Sequence, residues 1–312
     1  MSARLVFMGS PEFAVPSLHA LAGAGHDIAL AVTQPDRPAG RGGRLQPPPV
    51  KRAAMELGIG VFQPDSLRDS DVQATLRDAQ ADVFVVAAYG KILPQAVLDI
   101  PRRGCVNVHA SLLPRWRGPS PVVAAILAGD PVTGVSIMEL VRKMDAGPVI
   151  SRVAIPVGER ETAGELEGRL AGAGAAELVR VLPGWLAGEL AAEPQDESLA
   201  TYCHILRKED GWLRREMSAA EAERAVRAYN PWPGAFVMAG ELRLSIWRAG
   251  VLSESPPAAP GAMGLVARRP AIAFRDGWLM LEEVQKPGGK RLTSEQYLAG
   301  LRGQLPEAVT LA

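Results

Sequence analysis

The chain has 312 residues, 34 Lys+Arg against 34 Asp+Glu, and 47% apolar residues. That length suffices for two domains, and the zero net charge excludes a uniformly basic nucleic-acid binder while leaving local basic patches open. Two cysteines, Cys105 and Cys203, far apart and without metal-type spacing, argue against a disulfide or metal framework and suit a reducing cytoplasm. Gly9-Ser10-Pro11-Glu12 breaks any secretory segment at the start, and no apolar run reaches the ~18 residues of a membrane span.

Arg4 to Met8 is a short apolar run ending at Gly9, which predicts a buried strand. Pro11-Glu12 can open a helix with Leu18 and Leu21 on its apolar stripe, and Ile28 to Val32 is the next strand. This βαβ opening implies a doubly wound α/β domain, a Rossmann-like parallel sheet. Its first turn lacks the G-x-G-x-x-G spacing for close pyrophosphate approach, which disfavours a dinucleotide.

Gln34 to Pro49 is an unusual connection, with five prolines, three arginines (Arg37, Arg41, Arg44) and one acid. A stretch of this length between compact elements is uncommon. It reads equally as a solvated linker or as a basic arm for a polyanion. Val50 to Leu57 and Ser66 to Ala79 have helical patterns, and Asp82 to Gly90 is a near-continuous apolar run, the mark of a central parallel strand. Beyond its carboxyl end, Ile92 and Leu93 either line an apolar pocket or serve packing.

Gly104 to Val108 is another strand, leading into a Pro/Arg/Gly loop from Ser111 to Gly118. Residues i and i+2 of a strand share a face, so Asn107 and His109 present an amide and an imidazole to one small volume. Taken alone, Asn-x-His is also what a satisfied polar pair looks like. Gly134 to Val141 reads as a strand leading to Asp145, whose Asp-Ala-Gly-Pro setting also suits a plain turn. A carbonyl substrate held among the three would meet an amide donor, an ionisable donor and a carboxylate. Of the other histidines, His19 and His26 read as structural or surface residues, and His204 lies near the interdomain break.

Val149 to Val157 is a further strand, and Thr162 to Leu190 is helical, with a kink or interruption expected at Pro183-Gly184. A polar stretch follows. The last hundred residues carry the aromatic turn Tyr229 to Ala235 and then short strand-like runs between Gly and Pro, which suggest a small β-barrel. Residues 208–312 hold 14 Lys+Arg against 12 Asp+Glu, too small an excess to indicate RNA binding by itself.

Asn107-x-His109-x-Ser111-Leu112-Leu113-Pro114-x-x-x-Gly118, followed by Asp145-x-Gly147, resembles the active-site signature of the folate-dependent formyltransferases. Gln34 to Gly42, the Asn230-Pro231-Trp232-Pro233 turn and Gly288-Gly289-Lys290 are similar to segments of the methionyl-tRNA branch of that family. The resemblance covers nearly the whole chain. It implies formyl transfer from the co-substrate 10-formyltetrahydrofolate to the α-amino group of methionine on initiator tRNA, with no metal. Asn107, His109 and Asp145 match the catalytic positions. Ser111, Leu112, Leu113 and Pro114, with Ile92 and Leu93, match the folate side, and Arg37, Arg41 and Arg44 the tRNA loop. It further implies a catalytic domain over 1–190, a linker over 191–207 and an OB-like tRNA-binding domain over 208–312, in a cytoplasmic monomer. Within the fold, a sugar-nucleotide or glycinamide-ribotide formyltransferase is the alternative, and a non-catalytic tRNA- or folate-binding module is another. Cys203 to Arg207 and Trp212 to Arg215 depart from the usual pattern, which touches local linker contacts only.

Overall fold

The computed structural model describes residues 2–39, 44–254, 256, 258–302 and 305–312. The chain packs as two compact units. The first comprises Met1–Pro121, Val132–Pro156 and Glu167–His204; the second comprises Val122–Pro131, Val157–Leu166 and Ile205–Ala312.

The first unit opens as β1 (Arg4–Gly9), α1 (Val15–Gly23) and β2 (Asp27–Val32), with β1 and β2 parallel. Pro11 precedes a single 3-10 turn rather than the helix itself, and Pro16 sits in the first turn of α1. The Arg/Pro-rich connection holds a two-stranded antiparallel hairpin, β3 (Arg37–Ala39) and β4 (Arg44–Gln46). Then come α2 (Pro49–Glu56), β5 (Val61–Phe62), α3 (Ser70–Asp78), β6 (Val83–Ala87), α4 (Gln95–Leu98) and β7 (Cys105–His109). In chain order α5 (Pro121–Ala128), which apart from Pro121 belongs to the second unit, precedes β8 (Val132–Glu139), β9 (Val149–Pro156) and α6 (Ala163–Ala187), the last of which joins the first unit from Glu167 on.

One sheet has the order β5-β2-β1-β6-β7-β8-β9. Its central strands β6 and β7 are buried at every residue, as layers on both faces require. On one side Val6, Met8, Phe84, Val86 and Cys105 pack with Leu76, Leu93 and Val97. The pairing is parallel from β5 to β7, but β8 runs antiparallel to β7 and β9 antiparallel to β8. The expectation of a parallel sheet therefore holds for five strands and not for the last two. The short 140–148 return accounts for β9, since a short return joins neighbouring strands antiparallel; β8 follows the longer stretch through α5 and is set against β7 by its own antiparallel pairing.

α6 runs unbroken through Pro183, against the expected interruption. Proline removes one N–H, here the donor for the Val179 carbonyl, and only the final turn follows it, so little helix depends on the lost bond.

The second unit contains α7 (Ala219–Ala228), begun by a reciprocal cap in which Ser218 Oγ accepts the Glu221 N–H and the Glu221 carboxylate accepts the Ser218 N–H. Antiparallel strands follow: β10 (Ala235–Ala239), β11 (Leu242–Leu252), β12 (Met263–Val266), β13 (Arg269–Ala273), β14 (Trp278–Gln285) and β15 (Arg291–Thr293), then α8 (Ser294–Gly300). The sheet path is β10-β11-β14-β13-β12, with β15 on β14. β11 runs to Leu252 because its pairing to β14 shifts register at Arg248 instead of ending. Where an OB-like barrel was expected, the structure shows this antiparallel sheet, whose outer parts touch the C-terminal tail through the single bridges Met238–Thr310 and Ala262–Ala308.

Among the described residues no helix is long and apolar enough to cross a membrane, and no group of His, Cys, Asp and Glu is arranged to hold a metal ion.

Burial pushes the Cys105 thiol from 9.0 up to about 12 and the Tyr89 phenol from 10.0 up to about 12. A neutral group favoured by the fold contributes stability that is complete below its unfolded pKa and is lost as pH rises toward the folded value. Thermal melts are therefore expected to fall progressively between about pH 9 and pH 12, and Cys105→Ala flattens the first part of that slope.

Candidate active site

β7 delivers Asn107 and His109 to one face, and both are almost fully covered, at 8% and 6% exposure. His109 Nε2 lies 3.0 Å from the Trp116 carbonyl oxygen. A carbonyl only accepts, so Nε2 carries the proton and Nδ1 is the atom that faces Asp145 Oδ2, 3.9 Å away. Among the described residues no hydrogen bond engages the Asn107 side-chain amide.

The loop after His109 is held by its own polar groups. Ser111 Oγ donates to the Arg115 carbonyl at 2.6 Å. From β8, buried Ser136 donates its hydroxyl to the Ser111 carbonyl at 2.7 Å and accepts the Leu113 N–H at 3.0 Å. Arg152 Nε donates to the Leu113 carbonyl at 3.0 Å. Ser111 and Leu113 thus face inward, with Leu113 packed on Met138 and Val149.

Asp145 arrives by a route that sequence alone does not disclose. β8 pairs with His109 opposite Ser136 and Val106 opposite Glu139, so the 140–148 connection begins beside the amino end of β7. Asp145 is not delivered at the carboxyl end of a parallel strand, as the alternation of elements suggested; its loop turns back toward the imidazole. The turn is tight at Gly147, where a Cβ would fall 1.8 Å from the Glu139 carbonyl oxygen. Asp145 Oδ2 accepts the Gly118 N–H at 2.8 Å. Gly118 has φ +115, and a Cβ there would meet the Cys203 carbonyl oxygen at 2.4 Å, so glycine is required on both counts.

The chain's similarity to known proteins is extensive. A formyl transferase family model matches residues 3–182, and the model of that family's C-terminal domain matches residues 205–302. A methionyl-tRNA formyltransferase of Methylococcus capsulatus is 46% identical over 95% of this chain and 96% of its own length. That of Halorhodospira halophila is 46% identical over 97% of each. The chain belongs to the methionyl-tRNA formyltransferase family. Among solved structures, an N-formyltransferase from Helicobacter canadensis in complex with folinic acid and dTDP-3-aminofucose has a TM-score of 0.68 over 91% of this chain and 99% of that one, at 15% identity. HypX from Aquifex aeolicus in complex with tetrahydrofolic acid has a TM-score of 0.66 over 100% of this chain and 51% of that one, at 16% identity. These two likenesses are of fold.

In this member of the methionyl-tRNA formyltransferase family, Ile92 and Leu93 have different surroundings. Ile92 is 84% exposed, whereas Leu93 is buried in the cluster beneath β6. In the 34–49 arm, Arg37 NH2 donates to Gln34 Oε1 at 2.6 Å. Arg41, and the side chain of Arg44, lie outside the described residues. The foot of the arm is fixed: Asp36 is paired with Lys51 at 2.8 Å and accepts from Gln63 at 2.8 Å, and Lys51 donates to Gln63 at 2.8 Å. The Lys51 hydrogen bond, then that from Gln63, holds the Asp36 carboxyl below its usual range.

Sequence reasoning missed Arg117 and its partners. The stretch read as a linker supplies Gln195, Glu197 and Tyr202 to a guanidinium with no exposed surface. Hydrogen bonds from Arg117 and then Lys143 hold the Glu197 carboxyl down to about 2. An arginine next to a glycine in a polar loop reads as exposed, and nothing local marks it as buried.

Ser136→Ala removes the donor to Ser111 and the acceptor for Leu113 in a buried place. Each orphaned backbone group costs about 1–3 kcal/mol, so a urea titration of the variant is expected to lose stability in that range or above it.

Proposed function

We propose that this chain transfers the formyl group of 10-formyltetrahydrofolate to the α-amino group of methionine carried by initiator tRNA, acting as a cytoplasmic monomer. The observation that carries the reading is the His109–Asp145 pair, 3.9 Å apart, with Asn107 one pleat back on the same strand face, in a chain of this family. The acceptor is supported by relatives at 46% identity that are named for methionyl-tRNA, against 15% for the sugar-linked N-formyltransferase.

When bound, 10-formyltetrahydrofolate supplies an electrophilic formyl carbon. Ile92, with its uncovered apolar side chain, and the Ser111–Pro114 loop beside His109 are the residues to hold it, and the free Asn107 amide fits a carbonyl acceptor. Leu93 shapes this side from beneath. Addition of the amine to the formyl carbon gathers negative charge on the formyl oxygen. Asn107 donates to that oxygen, and His109 joins it with the N–H that Trp116 holds in the resting site. One well-aimed donor of this kind is worth about 3–4 kcal/mol in the transition state. Asp145 faces Nδ1 from 3.9 Å, on the side of the ring away from the N–H that turns to the formyl oxygen. As the new C–N bond forms and the bond to N10 breaks, the amine loses one proton and N10 gains one. Asp145 and His109 are the groups placed to pass it. The second unit and the arm with Arg37, Arg41 and Arg44 hold the tRNA phosphates, which small amine acceptors would not need.

Asn107→Ala, His109→Ala and Asp145→Ala are each expected to slow single-turnover formylation of methionyl-tRNA by about 10²–10³-fold while folate binding persists. Near-normal turnover removes that residue from the chemistry. Release of tetrahydrofolate with aminoacylated tRNA, and none with bare tRNA, tests the acceptor in the same assay.

Arg41→Ala and Arg44→Ala should each lower tRNA use without changing the melting temperature, and reduce the salt dependence of tRNA binding by about one phosphate's contribution. An unchanged salt slope in both variants removes the arm from tRNA binding.

A further inference from the structure

Arg117 carries a full charge and has no exposed surface. Its Nε and NH2 donate to Gln195 Oε1 at 3.0 and 2.8 Å, and its NH1 and NH2 donate to the Glu197 carboxylate at 3.1 and 2.9 Å. Two donors on one oxygen fix which end of the Gln195 amide faces the guanidinium, because an NH₂ group there would oppose both. The other end is thereby aimed away. It donates to the Asp145 carbonyl at 2.8 Å and to the Gly147 carbonyl at 2.7 Å.

Those two carbonyls belong to the turn that carries the Asp145 carboxylate. Asp145 has φ 48, a left-handed conformation uncommon for residues with a Cβ, although aspartate enters it more readily than most. Such a conformation persists where its surroundings over-determine it. Gln195 holds this residue from its own carbonyl and from the carbonyl two residues on. Gly118 holds the same residue at its carboxylate, and Gly118 directly follows Arg117.

We propose that Gln195, locked by the buried Arg117, is a positioning residue for formyl transfer: it keeps the Asp145 turn in the one backbone conformation that points the carboxylate at His109. The proposal rests on the catalytic reading of Asp145 given above. Gln195 touches neither substrate nor the reacting atoms, and acts only through Asp145. It lies in a stretch whose sequence suggests a spacer, 50 residues along the chain from the group it aims.

The test is Gln195→Glu, which keeps the shape and the acceptor for Arg117 but removes the donors to the two carbonyls. Gln195→Met, neutral and of similar length, is read in the same way should the charged variant fold poorly. A misplacement of about 1 Å is enough to cost on the order of 10²-fold, so kcat is expected to fall roughly 10- to 100-fold, with KM for folate and for methionyl-tRNA within about twofold of the parent. Both changes are also placed in an Asp145→Asn background. A residue that acts only through Asp145 should cost little there, less than about threefold. The positioning role is overturned by a kcat within about twofold of the parent, by a rise in KM with unchanged kcat, or by an undiminished penalty in the Asp145→Asn background. Should Asp145→Asn alone turn over normally, the catalytic reading of Asp145 fails first. A slow Asp145→Asn beside an active Gln195→Glu overturns only the positioning role.

Discussion

A guanidinium cut off from water must be surrounded by acceptors, because an unpaired buried charge is among the costliest things a fold can contain. Arg117 meets that demand with Gln195, Glu197 and Tyr202, all drawn from one later stretch of chain. The loop after β7 and the stretch from Gln195 to Tyr202 are consequently bound to each other. The Asp145 turn lies against both, with its carboxylate on Gly118 and its carbonyl on Gln195. The site is thus built from one strand end and three connecting segments, kept in place by hydrogen bonds that cross long stretches of sequence.

The two faces of this arrangement have different rigidity requirements. Asn107 and His109 ride on a central strand and need no help beyond the sheet, since β7 is buried throughout and paired on both sides. Asp145 has no strand beneath it. Its carboxylate is useful only if a turn with a left-handed residue and a glycine packed against Glu139 stays formed. Preorganisation of a charged group is worth more than its mere presence.

Much of the fold was legible because its signals are local. The βαβ opening, the apolar run of β6 and the i, i+2 placement of Asn107 and His109 depend only on residues close in sequence. What was not legible depends on partners far along the chain. The reversal of β8 is decided by pairing between Val106 and Glu139, and the burial of Arg117 by residues nearly eighty positions away. The run through Pro183 had a visible cue in the closeness of that proline to the helix end, where it removes a bond few others rely on. Ile92 and Leu93 look alike in sequence, and only the packing of Leu93 on Val97 and Tyr89 separates a core residue from an exposed one.

An open sheet of seven strands has two edges on which foreign chains can add. At one edge β5 is only two residues long, too short to template anything. At the other, β9 is long, and its first residue is already taken: Val149 exchanges both backbone hydrogen bonds with Glu193, each at 2.8 Å. Glu193 stands two residues before Gln195. The segment that steadies the carboxylate therefore also occupies the first residue of the sheet's long edge strand, so one short stretch of chain serves both the site and the end of the sheet.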